Sequence, residues 1–320
     1  MPVTIASLPP EVLVEILSSL DPFELENTAK TLNRRIYNVV LPLLTPIIPW
    51  IRNAQKIASI FSAGACASGD PPSQANDIRP LVTGQREELD CDECRHVGLD
   101  PERGPYKYTG VPDLRFMGLD GSFHWLQPLD EATALEMQPH TGTEGDRPMA
   151  KPWQFAVLTS QAHELGLTLP PGFHEFFTSD HLHHRIPSFS AWYFEPGRLV
   201  KCPSAVDNGA GGYLLRFHWD QQDCGFAYLY MNPSGNHCVV STFVDIYEGT
   251  SHDVPQADHA ADPEVFKCGD IELQNNDFTL VGLSLEEYLV SVYFEELLHF
   301  EAPPSAAMKD YFAHVYQPNS

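Results

Sequence analysis

The sequence has no uninterrupted apolar run long enough to cross a bilayer. Its first residues, 1–6, also lack the basic region and apolar core of a secretory signal peptide. The seven cysteines are odd in number and scattered, which is not the arrangement of a disulfide framework. We therefore expect reduced thiols and a cytoplasmic and/or nuclear location.

Positive charge is also scarce. The chain carries 19 Lys and Arg against 43 Asp and Glu, a formal net charge of −24, and the excess lies in residues 57–320 because residues 1–56 hold five of each kind. Such a surface repels phosphate backbones and anionic lipid head groups, so we expect no nucleic-acid and no membrane binding. A basic protein partner is favoured, and a role of the acidic surface in solubility alone stays open.

Signatures of catalysis are missing too. The sequence has no G-x-S-x-G elbow, no P-loop and no dinucleotide fingerprint. The glycine-rich stretch "NGAGGYLL" at 208–215 is followed by a predicted strand, whereas phosphate binding needs a helix N-terminus. Ser234, His237 and Cys238 are close in sequence, but they are better explained as turn and strand residues. We therefore expect no enzyme activity and no cofactor.

Two clusters have residue types that bind metals. Cys91 and Cys94 have the C-x₂-C spacing of a zinc site, and His96 is a candidate third ligand. No second pair follows at a familiar interval, so we expect no metal here. The histidines at 181–184 would form a metal pair on a strand, but a solvated loop is the favoured interpretation. A metal-dependent enzyme built on these groups is a third, least favoured hypothesis.

The first fifty residues are predicted to form three short helices. The apolar residues of the first follow the i, i+3, i+4, i+7 spacing of one helical face: Leu13, Ile16, Leu17 and Leu20. Asp21-Pro22 suits the start of the second helix. A segment this short buries little apolar surface by itself. The apolar face of the first helix is therefore available to a partner, or it packs on the rest of the chain.

The remainder of the sequence predicts an α+β fold. Residues 51–150 are assigned as a linker and a weakly patterned segment, with one or two strands around Asp120-Gly121. From residue 153 the pattern is regular: two helices, then four strands, of which the last two are joined by a turn at 232–236. A capping box at 284–287 opens a final helix. We expect a mainly antiparallel sheet flanked by helices.

The opening stretch resembles an F-box. Leu8-Pro9 and Glu11, then the apolar positions and Asp21-Pro22, match the "LP-x-E…I-L…L-x-P…L" skeleton over about residues 4–50. The resemblance implies a three-helix module that docks on the Skp-type adaptor of a cullin-based ubiquitin ligase. The residues implied to bind the adaptor are Leu8, Pro9, Val12, Leu13, Ile16, Leu17, Leu20 and Leu25.

Residues 153–301 are similar to the SUKH superfamily, which includes fungal cell-wall-assembly regulators and bacterial toxin-immunity proteins. The similar stretches are "AHELGLTLPPGFHEFF" (162–177), "DQQDCGFAYLYMNPSGNHCVV" (220–240) and "SLEEYLVSVYFEELLHF" (284–300). The resemblance implies an α+β protein-binding scaffold. Residues 302–320 are then left as a tail.

Together these features predict a fungal-type F-box protein that acts as a substrate-recognition adaptor. Its acidic C-terminal domain would bind a client protein, expected to be basic. Most aromatic side chains of the strands are expected in the core, and a subset is expected to contact the client. That subset, with one acid, is Trp192, Tyr193, Trp219 and Asp220. The alternative is a stand-alone SUKH-like regulatory or inhibitory module that takes no part in ubiquitination.

Overall fold

The computed structural model describes twelve stretches of the chain. They are residues 52–54, 56–57, 59–61, 86–88, 105–108, 114, 117–137, 152–188, 193–220, 224–247, 277–299 and 305–318. The chain divides into two compact units, Met1–Lys56 and Ile57–Ser320. The predicted F-box at 4–50, with all its implied adaptor-binding residues, lies outside the described residues.

The second unit contains helices and strands in mixed order. The helices are α1 Glu131–Met137, α2 Pro152–Glu164, α3 Phe173–Thr178, α4 Asp180–His183, α5 Ser204–Asp207, α6 Leu285–His299 and α7 Ala306–Val315. The strands are β1 Arg86–Glu88, β2 Pro105–Tyr108, β3 Tyr193–Phe194, β4 Leu199–Lys201, β5 Tyr213–Trp219, β6 Phe226–Met231, β7 His237–Thr242, β8 Thr279–Gly282 and β9 Tyr316–Pro318. The α+β class predicted from the sequence is confirmed.

The larger sheet is antiparallel throughout. Its order is β3-β5-β6-β7-β8, and β4 pairs with β5 beside β3. The central hairpin β6–β7 closes at Asn232, whose backbone N–H donates to Asn236 O at 3.0 Å and whose Oδ1 accepts from Asn236 N at 3.1 Å. Gly235 takes the positive φ of 80° that this turn requires. A smaller antiparallel sheet has the order β1-β2-β9.

Both faces of the larger sheet are buried. On one face, alternate residues of β5 and β6 belong to the main core: Leu215, Phe217, Ala227, Leu229 and Met231. Helices α2, α3, α6 and α7 supply the rest of this core. The opposite face holds Leu214, Phe226, Tyr228 and Tyr230, each at most 1% exposed. A helical residue that precedes the sheet in the sequence covers part of this second face, since the ring centres of Phe61 and Tyr230 lie 5.1 Å apart. Because both faces are buried, every residue of β6 is buried, and the strand lacks the alternation of buried and exposed residues seen in a strand with one face in solvent.

The capping box predicted at the start of α6 is present. Ser284 Oγ accepts a hydrogen bond from Glu287 N at 3.1 Å. Glu287 Oε2 in turn accepts from Leu283 N at 2.9 Å, one residue before the cap. The first bond satisfies an N–H of the first turn that has no intrahelical partner, and the second holds the residue before the cap against the helix start.

The structure extends the α+β domain beyond the predicted range of 153–301. On one side, Leu114, Phe123 and Leu126 are buried in the main core. On the other, the predicted tail contains α7, whose Met308, Tyr311, Phe312 and Val315 fill the same core. These residues have the i, i+3, i+4, i+7 spacing of a buried helical face, so burial of that face holds the segment in place.

The strands predicted around Asp120-Gly121 are wrong. Residues 118–130 form a loop without strand pairing. Gly121 has a φ of 84° and its N–H is bonded to the Glu286 carboxylate rather than to a neighbouring strand. No helix among the described residues is long and apolar enough to cross a membrane.

Candidate functional site

One end of the larger sheet brings together residues that the sequence selected for client binding. Tyr193 on β3 pairs with Trp219 on β5, and Trp219 pairs with Phe226 on β6. Phe226 pairs in turn with Thr242 on β7, which is followed by Phe243 with 88% of its surface exposed. We call this line of paired positions, Tyr193, Trp219, Phe226 and Thr242, the aromatic row. Trp192 lies outside the described residues, and Tyr193 is described through its backbone alone.

Asp220 performs a local task at the end of β5. Its Oδ1 accepts a hydrogen bond from Cys224 N at 2.8 Å, and its backbone N–H donates to Gly225 O at 3.1 Å. The carboxylate therefore stabilises the connection between β5 and β6. Because it follows Trp219 directly, Asp220 also places a carboxyl group next to the aromatic row.

The structure adds Arg216, a residue that the sequence analysis missed. Its guanidinium carbon lies 4.6 Å from the ring centre of Trp219, 4.7 Å from that of Tyr247 and 5.7 Å from that of Phe226. Its Nη1 contacts Asp245 Oδ2 at 2.8 Å, and both side chains are mostly buried, 12% and 17% exposed. A cation held between aromatic faces and a carboxylate makes this part of the site rigid. The signal in the sequence was a single base within the strand "YLLRFHW".

Hydrogen-bonded tyrosines fix the turn that carries Asp245. Tyr228 donates its hydroxyl to Asp245 Oδ1 at 3.1 Å and accepts from Ile246 N at 3.0 Å. The Tyr247 hydroxyl accepts from Arg216 N at 3.0 Å. Burial, reinforced by the Asp245 charge, raises the pKa of the Tyr228 hydroxyl, and burial raises the pKa of Tyr247 to about 12. Both phenols are therefore protonated at neutral pH and act as hydrogen-bond donors.

The glycine-rich stretch at 208–215 surrounds a carboxylate of the protein itself. Asp207, which is fully buried, accepts from Gly212 N at 2.7 Å, from Gly209 N at 3.1 Å and from the Tyr230 hydroxyl at 3.1 Å. The chain then enters β5, as predicted. In other proteins the backbone N–H groups of such a loop bind a phosphate. Here they donate hydrogen bonds to the buried carboxylate of Asp207.

The other candidate groups are separated by the fold. Ser234 is exposed at the tip of the β6–β7 turn, whereas Cys238 is fully buried on β7. Burial raises the pKa of the Cys238 thiol and lowers the pKa of His237, so the thiol stays protonated at neutral pH. The difference in exposure between Ser234 and Cys238 is not visible in the sequence, because the two residues are only four positions apart.

The histidine cluster at 181–184 is not the solvated loop that was predicted. Its described part lies in α4 and the following turn, and His183 is fully buried. The His183 ring lies 4.7 Å from Phe176 and 5.5 Å from Phe177, so it packs within an aromatic cluster, while His184 is exposed. No group of three or more metal-ligating side chains occurs in the part of the chain that the structure describes. Cys91, Cys94 and His96 fall outside that part.

Comparison of the chain with protein-family models, with curated proteins and with solved structures gives no match. The arguments for function therefore come from the sequence motifs and from the geometry described above.

Proposed function

We propose that the protein is a substrate-recognition adaptor of a cullin-based ubiquitin ligase. The observation that carries the proposal is the motif Leu8-Pro9-x-Glu11 followed by apolar residues at helical spacing and Asp21-Pro22. The division of the chain supports it, because the first compact unit ends at Lys56, a few residues after the end of the motif. A separate small unit with one apolar helical face is what docking on a Skp-type adaptor needs.

The second unit would then bind the client. At this end of the sheet Trp219 is partly exposed, and Phe243, the residue after β7, is 88% exposed. Aromatic side chains of this kind anchor protein interfaces. Arg216 and Asp245 hold the surrounding turn in one conformation, so little conformational entropy is lost on binding. Because the net charge of this unit is strongly negative, a basic client is favoured. The adaptor acts by raising the effective concentration of client lysines near the ligase, which requires no catalytic residue.

Co-expression of the full-length protein with a Skp-type adaptor, followed by a sizing column, tests the proposal. We expect a stable complex that is lost in the double variant Ile16→Asp, Leu20→Asp. The matched control is Leu135→Asp, Phe243→Asp, which places two acids at exposed apolar positions of the second unit and should leave the complex intact. Separate elution of the wild-type proteins, or a folded Ile16→Asp, Leu20→Asp variant that still binds, would contradict adaptor function.

A stand-alone binding module is the second candidate. It is supported by the packing of residues just after the motif: the Phe61 ring lies against Tyr230 of the sheet, and Asn208 Nδ2 donates to Ile60 O. In this case the N-terminal helices would pack internally. Limited proteolysis of the isolated protein separates the two functions, since an internally packed N-terminus resists cleavage within residues 4–50 and a free F-box is cut there.

A further inference from the structure

The first half of the loop of residues 118–130 is bound by a side chain from outside it. Glu286, on α6, accepts a hydrogen bond from Gly121 N at 2.6 Å through Oε2. Its other oxygen, Oε1, accepts a hydrogen bond from the Trp125 indole Nε1 at 2.8 Å. One carboxylate therefore holds two donors of the loop, a backbone N–H and an indole N–H.

The second half of the loop is bound by two further side chains. Arg185 Nη1 donates to Leu126 O at 2.9 Å, and the Tyr293 hydroxyl donates to Gln127 O at 3.3 Å. The ring centres of Trp125 and Tyr293 lie 5.7 Å apart in an edge-to-face contact. The surrounding domain thus supplies an acceptor to a loop N–H and donors to loop carbonyls, as a protein does when it binds the backbone of a peptide.

Two apolar side chains anchor the loop. Phe123 is 2% exposed, Leu126 is fully buried, and both belong to the main core. The ring centre of Phe123 lies 5.7 Å from that of Phe176 on α3. The residues on either side of Phe123, Ser122 and His124, are exposed. Buried anchors with exposed residues beside them are the pattern of a peptide segment seated in a groove.

A glycine at the start of α3 leaves room for the loop. Gly172 has a φ of 75°, and a Cβ there would lie 2.7 Å from Cζ of Phe123 and 2.8 Å from Gly121 O. Both distances are shorter than van der Waals contact, so a side chain at residue 172 would displace the loop. The site thus has space for the loop only because residue 172 has no side chain.

The loop adopts an unfavourable backbone conformation to occupy this site. Phe123 has a φ of 56°, in the left-handed region that a bulky residue seldom adopts. Burial of the Phe123 ring offsets the strain. A segment of another protein that offers the same side chains without a left-handed residue avoids this strain. The strain therefore reduces the advantage that the loop has through its attachment to the domain.

We propose that the loop of residues 118–130 is an intramolecular ligand, and that its site is a peptide-binding groove for a partner protein. The groove is formed by Gly172, Phe176, Arg185, Glu286 and Tyr293. A partner segment with the core Phe-x-Trp-Leu binds there after the loop leaves. Its Phe and Leu fill the two anchor positions, and its indole N–H donates to the Glu286 carboxylate. The loop defines this chemistry, because it is the segment that the groove holds in the structure.

The test is binding of a fluorescein-labelled peptide with the sequence of residues 118–130 to the full-length protein, measured by anisotropy. Phe123→Ser removes one anchor of the loop and leaves the residues of the groove unchanged. The peptide should bind this variant at least about tenfold more tightly than wild type, in which the attached loop competes. A control peptide that carries Phe123→Ser and Leu126→Ser should bind neither protein.

A change in the groove itself should remove this binding. Gly172→Ala, added to Phe123→Ser, places a Cβ where the aromatic ring of the peptide must lie and should weaken binding by about tenfold or more. The matched control is Gly166→Ala, also added to Phe123→Ser. Gly166 has a similar φ of 67°, but a Cβ there would meet no atom within 4 Å. This control introduces similar backbone strain and should leave binding of the peptide intact.

Hydrogen exchange of the wild-type protein provides a second test that needs no variant. We expect the amides of residues 118–130 to exchange through local opening, at a rate that depends little on urea. The amides of β6 should exchange only on global unfolding. Mass spectrometry of peptic fragments that cover the two segments measures both rates.

Four results would each overturn the proposal. They are the absence of peptide binding to Phe123→Ser, equal affinity for this variant and wild type, unchanged binding after Gly172→Ala, and exchange of the loop only on global unfolding. A dimer in sedimentation that Phe123→Ser dissociates would assign the groove to the loop of a second copy and would overturn it too. Phe123→Ser should still bind a Skp-type adaptor if the proposed function is correct, so failure of one proposal is distinguishable from failure of the other.

Discussion

Trp125 and Glu286 are 161 residues apart in the sequence and are joined by a hydrogen bond of 2.8 Å from the indole Nε1 to the carboxylate Oε1. The second oxygen, Oε2, accepts from Gly121 N at 2.6 Å. Glu286 lies in the first turn of α6, where the helix dipole favours a negative charge, and is only 6% exposed. Through these two hydrogen bonds, the Glu286 carboxylate holds the loop of residues 118–130 against helix α6.

Replacing Glu286 with alanine should detach this loop. The variant leaves Gly121 N and Trp125 Nε1 without their acceptor, which should lower the free energy of unfolding by about 2–4 kcal/mol. Urea denaturation followed by circular dichroism measures the loss. Glu164→Ala, the same change at an exposed position of α2, is the control and should stay within about 0.5 kcal/mol of wild type. Equal stability of the two variants would show that the carboxylate does not hold the loop.

Gly212 should tolerate no side chain. A Cβ there would lie 2.1 Å from Cε2 of Tyr230, whose ring is fully buried and hydrogen-bonded to Asp207. We expect Gly212→Ala to lower the free energy of unfolding by about 3 kcal/mol or more. Gly235→Ala is the comparison: it meets no atom within 4 Å but must adopt a φ of +80°, for an expected loss of about 1–2 kcal/mol. Similar losses for the two variants would contradict the clash.

The Arg216–Asp245 pair should show strong energetic coupling. A double-mutant cycle with Arg216→Met, Asp245→Asn and the double variant isolates the interaction. Each single change leaves one mostly buried charge without its partner, so the single losses should sum to more than the loss in the double variant. We expect a coupling of at least about 1 kcal/mol in urea denaturation. Additive losses would mean that the rings, rather than Asp245, hold the guanidinium.

Stability should fall in strongly alkaline solution. Burial raises the pKa of Tyr247 and of Tyr293 to about 12, against about 10 in an unfolded chain. Between these values the unfolded chain loses protons that the folded chain retains, so the free energy of unfolding decreases as pH rises from about 10 to about 12. Urea denaturation at a series of pH values measures this slope.

Tyr293→Phe provides the control for the alkaline effect. The Tyr293 hydroxyl makes a long hydrogen bond of 3.3 Å to Gln127 O, so its removal should cost about 1 kcal/mol or less at neutral pH. The same change removes one of the titrating groups, so the decrease above pH 10 should be shallower. An unchanged slope would show that the Tyr293 hydroxyl does not titrate in this range.

The elements with a strong local pattern were predictable from the sequence. Strands β5, β6 and β7 and helix α6 were each predicted within about two residues, because apolar runs, a five-residue turn and a capping box define them. Gly166, two residues after α2, has a φ of 67°, the left-handed conformation in which many helices end at a glycine. In these cases, residues close together in the sequence are sufficient to define where an element begins and ends.

The elements fixed by distant contacts were not predictable in this way. The loop at 118–130 contains aromatics that suggest strands, and it is held instead by Glu286, far away in the sequence. Helix α7 had an apolar helical pattern in "AAMKDYFAHV", but the resemblance that bounded the domain ended at residue 301 and left this segment as a tail. In the site, Trp219 and Asp220 were selected from composition, whereas the contribution of Arg216 depends on rings from β6 and the turn after β7.

The β6–β7 turn is a natural insertion point for a reporter. Its tip, Pro233 to Gly235, is exposed, and a Cβ on Gly235 would meet no atom within 4 Å. The Asn232–Asn236 hydrogen bonds close the base of the turn, so a tag or a pair of new chain termini placed at the tip would leave the strand register intact. A reporter inserted here would lie at the end of the hairpin, away from both buried faces of the sheet, so it could signal binding without entering the core.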